Sequence, residues 1–86
     1  MRLDKFLKVS RVIKRRTVAN EACDAGRVSI NGKVARASAA VSVGDVIEVG
    51  FASRSLKIKV LSVQENAKKD AAALMYEEIF GEAADE

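Results

Sequence analysis

The sequence predicts a small α+β fold in which two N-terminal helices pack on a mostly antiparallel sheet, with a further helix at the C-terminus. Three observations lead to this prediction. Apolar residues recur at helical spacing before Gly26, they alternate with polar residues through much of 27–60, and helical spacing returns after residue 67. A chain of 86 residues provides for one compact domain and not for two.

The first helix is predicted to begin at Leu3 and to end between residues 9 and 13. Leu3, Phe6 and Leu7 fall on one face of this helix, and lysines occupy the other face. A basic loop, Lys14-Arg15-Arg16, follows. The spacing therefore predicts an amphipathic helix whose polar face is positively charged.

The second helix is predicted from Thr17 to about Ala25. Threonine is a good N-cap residue, and Gly26 stands where glycine commonly follows a helix end. Val18, Ala19, Ala22 and Cys23 form its apolar stripe.

Beyond Gly26 the pattern predicts strands. Asn31-Gly32 lies between alternating residues, which is the strongest short signal for a two-residue hairpin. Further strands are expected over 47–51 and 56–60, joined by a turn at 52–55. A helix is expected over 68–80, ended by Gly81 and followed by an acidic tail at 82–86. We expect residues 1–64 to form the principal domain and 65–86 to form the helix and tail.

The charge is distributed unevenly along the chain. Residues 1–36 carry ten Lys and Arg against three acids, a net charge of +7, whereas residues 37–86 carry five against nine, a net charge of −4. Ten cations with so few neighbouring acids repel one another unless an anionic partner neutralises them. The basic half therefore predicts a polyanion-binding surface, and arginine is well suited to paired contacts with phosphate oxygens.

The candidate phosphate-binding residues are the cations of the basic half: Arg2, Lys5, Lys8, Arg11, Lys14, Arg15, Arg16, Arg27, Lys33 and Arg36. Aromatic side chains that could stack on unpaired bases are few, since the chain has one Tyr, three Phe and no Trp. We therefore expect recognition of folded RNA through its shape and backbone.

The sequence offers little for catalysis or for a cofactor. It contains no histidine, and its five glycines are scattered singly and so form no phosphate-binding loop. The single cysteine, Cys23, lies on an apolar face and is expected to be a core residue in a reducing cytoplasm. Asp4 is expected to be a helix N-terminal or salt-bridging residue. We predict no metal, no cofactor, no membrane span and no enzymatic activity.

Four blocks of the sequence, in order, resemble the RNA-binding domain first described in ribosomal small-subunit protein four. They are Arg2-Leu3-Asp4-Lys5-Phe6-Leu7, the run Arg15-Arg16-Thr17, the segment Gly26 to Lys33, and Val43-Gly44-Asp45-Val46-Ile47. The whole chain is most similar to short stand-alone bacterial members, of the RqcP type, and to the related ribosome-associated heat-shock protein. Many members have Ser-Arg where this chain has Arg15-Arg16-Thr17, and the catalytic members carry long additional domains.

The resemblance implies a non-catalytic, cytoplasmic protein of ribosome-associated quality control. Such proteins bind large-subunit ribosomal RNA and the tRNA of obstructed peptidyl-tRNA complexes, and they assist tail elongation on the stalled chain. The tail-elongation factor is a possible partner, and we expect a monomer away from the ribosome. The positions that match the RNA-binding residues of the family are Arg2, Arg15, Arg16, Thr17, Arg27, Asn31, Gly32 and Lys33.

Three alternatives to this function remain open from the sequence. The chain could be a general ribosome-assembly or recycling factor with a different RNA target. It could be a fragment of an RNA-modifying enzyme, although no catalytic motif supports this. It could also be an adaptor that acts through its acidic end, residues 65–86.

Overall fold

The computed structural model describes residues 1–51, 55–65 and 68–79, and in them it shows three helices and one five-stranded sheet. The elements follow the chain as α1 (Leu3–Val9), α2 (Arg16–Asp24), β1 (Val28–Ile30), β2 (Lys33–Val34), β3 (Val46–Gly50), β4 (Ser55–Val60), α3 (Lys69–Ala72) and β5 (Tyr76–Glu78). The strand order is β2-β1-β3-β4-β5, and each neighbouring pair is antiparallel. The predicted α+β class is confirmed.

The hydrophobic core lies between α1, α2 and one face of the sheet. Leu3, Phe6 and Leu7 of α1 are fully buried. They belong to one cluster with residues of α2, of the sheet and of the connecting segments, namely Ala19, Cys23, Val28, Ile47, Val49, Ile58, Val60 and Met75. Alternation along β3 and β4 sends Glu48 and Lys59 to the other face, where both are exposed. The two helices are thereby fixed on one side of the sheet.

The second helix begins one residue before the predicted cap. The backbone of Arg15 is extended, and its carbonyl oxygen accepts the N–H of Ala19 at 3.0 Å, so Arg15 occupies the N-cap position. Thr17 lies inside the first turn, and its prediction as N-cap was wrong. The prediction rested on the preference of threonine for the N-cap position, whereas the N-cap residue of this helix makes no side-chain hydrogen bond in the structure.

The predicted hairpin turn is confirmed. Asn31 and Gly32 have φ angles of 53° and 87°, as a two-residue turn of this hand requires, and Ile30 pairs with Lys33 across it. The Asn31 side chain also ties this turn to the start of β3. Its Oδ1 accepts the N–H of Val46 at 3.0 Å, and its Nδ2 donates to Oδ1 of Asp45 at 3.2 Å.

The C-terminal helix is much shorter than predicted. Among residues 68–79, which the structure describes, only Lys69–Ala72 is helical, and Tyr76–Glu78 forms an edge strand on β4. A helix of four residues satisfies few of its own backbone groups, whereas the free edge of β4 offers a full set of partners. The carbonyl of the buried Met75 accepts the N–H of Leu61 at 2.8 Å, which holds the chain along this edge. The predicted end at Gly81 and tail at 82–86, like residues 52–54 of the predicted turn, lie outside the described residues.

We expect the substitution Gly32→Ala to lower the free energy of unfolding by about 1–2 kcal/mol, because an L side chain is strained at positive φ. Urea denaturation followed by circular dichroism measures this change. Lys33→Ala, next to the turn and exposed, is the matched control and should have little effect. Equal stability of the two variants would show that the turn tolerates a side chain at position 32.

Candidate RNA-binding surface

The centre of the basic surface is an acid, Asp4, in the first turn of α1. Its side chain is 3% exposed. Arg2 donates to it from Nε at 3.2 Å, Arg16 of α2 contacts it through Nε at 3.4 Å, and Asn20 donates from Nδ2 at 3.2 Å. The backbone N–H of Lys5 donates to it at 2.7 Å. One carboxylate therefore joins α1 to α2 and gathers two arginines beside it.

Opposing influences act on the pKa of Asp4. Burial raises the pKa of Asp4. The hydrogen bond from Asn20, the hydrogen bond and charge of Arg16, and the hydrogen bond from Arg2 lower it, and together they outweigh burial. The net result is a pKa below the usual value for aspartate. Asp4 is therefore a structural anion, as expected from the sequence, and it holds the arginines in place.

The same arginines line an open groove of about 480 Å³ together with Lys5. Met1, Ser38, Ala40 and Glu65 complete its walls. Two of the lining residues, Arg2 and Ala40, pair through their backbones as an antiparallel bridge. The side chains of Arg2 and Arg16 are 50% and 47% exposed, so both guanidinium groups are held from beneath by Asp4 and remain open to solvent. The structure thus brings together three of the predicted RNA-binding residues, Arg2, Lys5 and Arg16.

Glu65 is an acid on the wall of this basic groove. Its Oε1 forms an ion pair with Nζ of Lys5, and the hydrogen bond and charge of Lys5 lower the pKa of Glu65. The Glu65 side chain is 67% exposed. Sequence analysis did not identify this contact, because sixty residues separate the two side chains.

The other predicted residues of the helical region lie at the surface around α1 and α2. Lys8 is exposed in the last turn of α1, Arg15 at the N-cap position of α2, and Thr17 in the first turn of α2. Arg11 is exposed and has a φ of 66°, in the left-handed region. Its N–H donates to the carbonyl of Lys8 at 3.0 Å.

Arg11 occupies the position that glycine occupies after α2. Gly26, the residue after the C-cap of α2, has a φ of 81°, and its N–H donates to the carbonyl of Cys23, two residues before that C-cap. The N–H of Arg11 donates in the same way to the carbonyl of Lys8, two residues before the C-cap of α1. Glycine adopts this conformation without strain, and arginine does not. Arg11 therefore places a charged side chain at a backbone position that glycine would adopt with less strain.

The predicted hairpin residues form a separate part of the surface. Arg27 lines a smaller depression of about 150 Å³ beside Val34 and Glu48. Lys33 is exposed at the hairpin tip, and the carboxamide of Asn31 is engaged with Asp45 and Val46. The structure therefore does not place these residues in the groove of Arg2, Lys5 and Arg16.

Neither a thiol nucleophile nor a metal site was found in the described part of the chain. Cys23 is buried, and its burial, with the charges of Asp4 and Asp24, raises the pKa of the thiol to about 11. Among residues 1–51, 55–65 and 68–79, no group of three or more metal-ligating side chains comes together, and no helix is long and apolar enough to cross a membrane.

The model of the S4 domain family matches residues 1–47, which contain α1, α2, the hairpin and the groove arginines. The chain belongs to the S4 domain family. Sequence comparison supports a close relationship with a group of small members. The chain is 52% identical to the RQC P-site tRNA stabilizing factor of Streptococcus pneumoniae, over 90% of this chain and 88% of the relative. It is 53% identical to the factor of the same name from Bacillus subtilis, over 88% of each chain.

A solved structure of a further relative has the same fold. The trimeric structure of Vibrio cholerae heat shock protein 15 matches with a TM-score of 0.88 and 26% identity, over 98% of this chain and 86% of that one. The two arginines joined through Asp4 thus lie in the part of the chain that the S4 model matches, and the likeness to the Vibrio cholerae structure extends beyond residue 47.

The substitution Asp4→Asn in this S4 domain should lower the free energy of unfolding at neutral pH by about 1–3 kcal/mol, since it removes a charged acceptor. Because folding lowers the pKa of Asp4, its contribution is present above the usual aspartate pKa of about 4 and is lost as the pH falls through the lower folded value. Urea titrations at a series of acid pH values should show that the difference in unfolding free energy between wild type and Asp4→Asn becomes smaller as the pH falls. Asp24→Asn is the control. A difference in unfolding free energy between wild type and Asp4→Asn that did not change with pH would contradict the role of Asp4.

The substitution Arg11→Gly should leave the domain as stable as wild type or more stable by up to about 1 kcal/mol, because it relieves the positive φ. RNA affinity should nevertheless fall, because a phosphate-binding charge is lost. Arg11→Lys keeps both charge and strain, and should bind RNA more tightly than Arg11→Gly. Unchanged RNA affinity of Arg11→Gly would remove Arg11 from the binding surface.

Proposed function

We propose that the chain is an RNA-binding factor of ribosome-associated quality control that stabilises tRNA on the ribosome. The observation that carries the proposal is the groove formed by Arg2, Lys5 and Arg16, in which Asp4 fixes two half-exposed guanidinium groups. Groups of this kind make paired hydrogen bonds to phosphate. The names of relatives more than half identical to this chain, RQC P-site tRNA stabilizing factors, support tRNA as one ligand.

The proposed RNA contacts fall on two surfaces. One comprises the groove of Arg2, Lys5 and Arg16 together with the neighbouring residues of the helical region, Lys8, Arg11, Arg15 and Thr17. The other comprises the hairpin, with Arg27, Asn31 and Lys33. We propose that the two surfaces contact large-subunit ribosomal RNA and peptidyl-tRNA at the same time. Two weak contacts joined on one rigid domain give a strong one, because the second forms at high effective concentration.

The proposal includes no catalytic step and no cofactor. The protein holds two RNA elements together in the cytoplasm and thereby favours tail elongation on the obstructed complex, with the elongation factor as a further partner. We assign RNA binding to residues 1–64 and a supporting role to 65–86. The free protein is proposed to be a monomer away from the ribosome, and sedimentation of the free protein tests this, since the Vibrio cholerae relative was solved as a trimer.

We expect Arg16→Ala, and likewise Arg2→Ala, to weaken binding to large ribosomal subunits by about 1–3 kcal/mol, the usual value for a charged hydrogen bond. Lys59→Ala is the matched control, because Lys59 is exposed on the sheet face away from the helices. Co-sedimentation with purified large subunits, with and without peptidyl-tRNA, measures the effect. Wild type should bind the loaded subunits more tightly, and Arg16→Ala should lose much of that difference.

Two outcomes would contradict the proposal. Equal affinity of wild type for empty and loaded subunits would remove tRNA as a ligand and leave a general binder of ribosomal RNA. Loss of binding in Lys59→Ala but not in Arg16→Ala would show that RNA binds the opposite face of the domain from the one proposed. The urea stability of each variant is measured in parallel, so that unfolding is not mistaken for lost contact.

A further inference from the structure

Glu65 places a carboxylate on the wall of a groove that otherwise collects cations. The charged residues that line the groove are Arg2, Lys5, Arg16 and Glu65. The Glu65 carboxylate forms an ion pair with Nζ of Lys5. A carboxylate and a phosphate present the same kind of oxygen acceptor to a lysine ammonium group. In the free protein, Glu65 therefore takes the place at Lys5 that a phosphate oxygen would take.

The two acids that contact groove cations differ in how firmly they are held. The side chain of Asp4 is 3% exposed and is bound by donors from both helices. The side chain of Glu65 is 67% exposed, and among the residues that the structure describes its hydrogen-bond and ion-pair partner is Lys5. An ion pair in contact with water is weak and breaks readily. Asp4 is thus a fixed part of the fold, whereas Glu65 can leave its partner.

The segment that carries Glu65 is anchored to the sheet a few residues earlier. The N–H groups of Leu61 and Ser62 both donate to the carbonyl of Met75, at 2.8 and 3.2 Å. This anchor holds the segment beside the fold independently of the ion pair. The carboxylate of Glu65 can therefore separate from Lys5 without loss of the contacts that form the core.

We propose that Glu65 is an intramolecular competitor of RNA phosphate at Lys5, and that it is displaced when RNA enters the groove. In the free protein the two guanidinium groups are half exposed, but the lysine is neutralised. RNA exchanges its phosphate for the Glu65 carboxylate at Lys5. The exchange replaces one anion with another, so the ion pair lowers the affinity of the groove for RNA and forms again when RNA leaves. This inference rests on the RNA binding proposed above and identifies a residue that limits its strength.

A purely structural role for the ion pair makes a different prediction. If the pair only fastened the C-terminal segment to α1, Glu65→Gln would raise RNA affinity no more than the removal of any other surface acid does. If Glu65 competes with phosphate, the gain in affinity depends on the presence of Lys5. A double-mutant cycle between the two residues measures this dependence.

The experiment compares wild type, Glu65→Gln, Lys5→Ala and the double variant in co-sedimentation with large ribosomal subunits loaded with peptidyl-tRNA. Glu65→Gln should bind roughly two- to fivefold more tightly than wild type, the range expected for one exposed ion pair. The control is Glu77→Gln, because Glu77 is exposed on β5 opposite Lys59, on the sheet face away from the helices. In the Lys5→Ala background, Glu65→Gln should raise affinity no more than Glu77→Gln does in wild type.

A salt series tests whether Glu65 is displaced in the complex. If Lys5 binds phosphate there, Lys5→Ala should reduce the slope of log affinity against log salt by about one. If the ion pair persisted in the complex, Lys5→Ala would leave the slope of wild type unchanged. The urea stability of each variant is measured in parallel, so that a change in folding is not mistaken for a change in binding.

Three results would each overturn the inference. They are an affinity of Glu65→Gln no higher than that of Glu77→Gln, an equal gain from Glu65→Gln with and without Lys5, and an unchanged salt slope in Lys5→Ala. The proposed RNA binding would survive all three, since wild type would still bind the loaded subunits. Absence of salt-dependent binding by wild type would overturn the proposed function and the inference together.

Discussion

The basic surface depends on one buried acid, Asp4. A carboxylate that is 3% exposed is stable only when hydrogen bonds and opposite charges replace its lost water. Arg2, Arg16 and Asn20 provide them, and two of these come from a different helix than Asp4 does. Without the acid between them, the two guanidinium groups would repel each other. The contacts that allow Asp4 to be buried therefore also create the pair of cations at the groove.

Arginine suits this arrangement in a way that lysine does not. A guanidinium group has five N–H donors in a fixed plane, whereas an ammonium group is a single point of charge. Arg16 meets Asp4 through Nε at 3.4 Å, and its side chain is still 47% exposed, so the group has room for a ligand beside Asp4. Holding the group from beneath reduces the side-chain freedom that binding would otherwise remove. One guanidinium group can thereby contact Asp4 and a ligand at the same time.

Sequence periodicity predicted the elements whose contacts are local, and it failed where distant segments meet. The apolar spacing of Leu3, Phe6 and Leu7 and the Asn31-Gly32 turn are local signals, and the structure confirmed both. The helix expected over 68–80 is shorter than predicted because the free edge of β4 paired with Tyr76–Glu78, and helical spacing does not report a neighbouring edge. Grouping the cations by charge found the groove residues, but only the structure showed that Asp4 arranges them.

Strand β5, which the sequence did not predict, places acidic residues at one edge of the sheet. The basic hairpin, β1 and β2, and the acidic strand β5, which carries the exposed Glu77 and Glu78, lie at opposite edges of one sheet. A separation of charge across a small domain orients an approaching polyanion before contact. Within the groove, Lys5 is paired with Glu65, but an ion pair whose acid is two-thirds exposed is well screened by water and weak. A phosphate can therefore replace Glu65 at Lys5, whereas the buried pairs of Asp4 persist and keep the arginines in position.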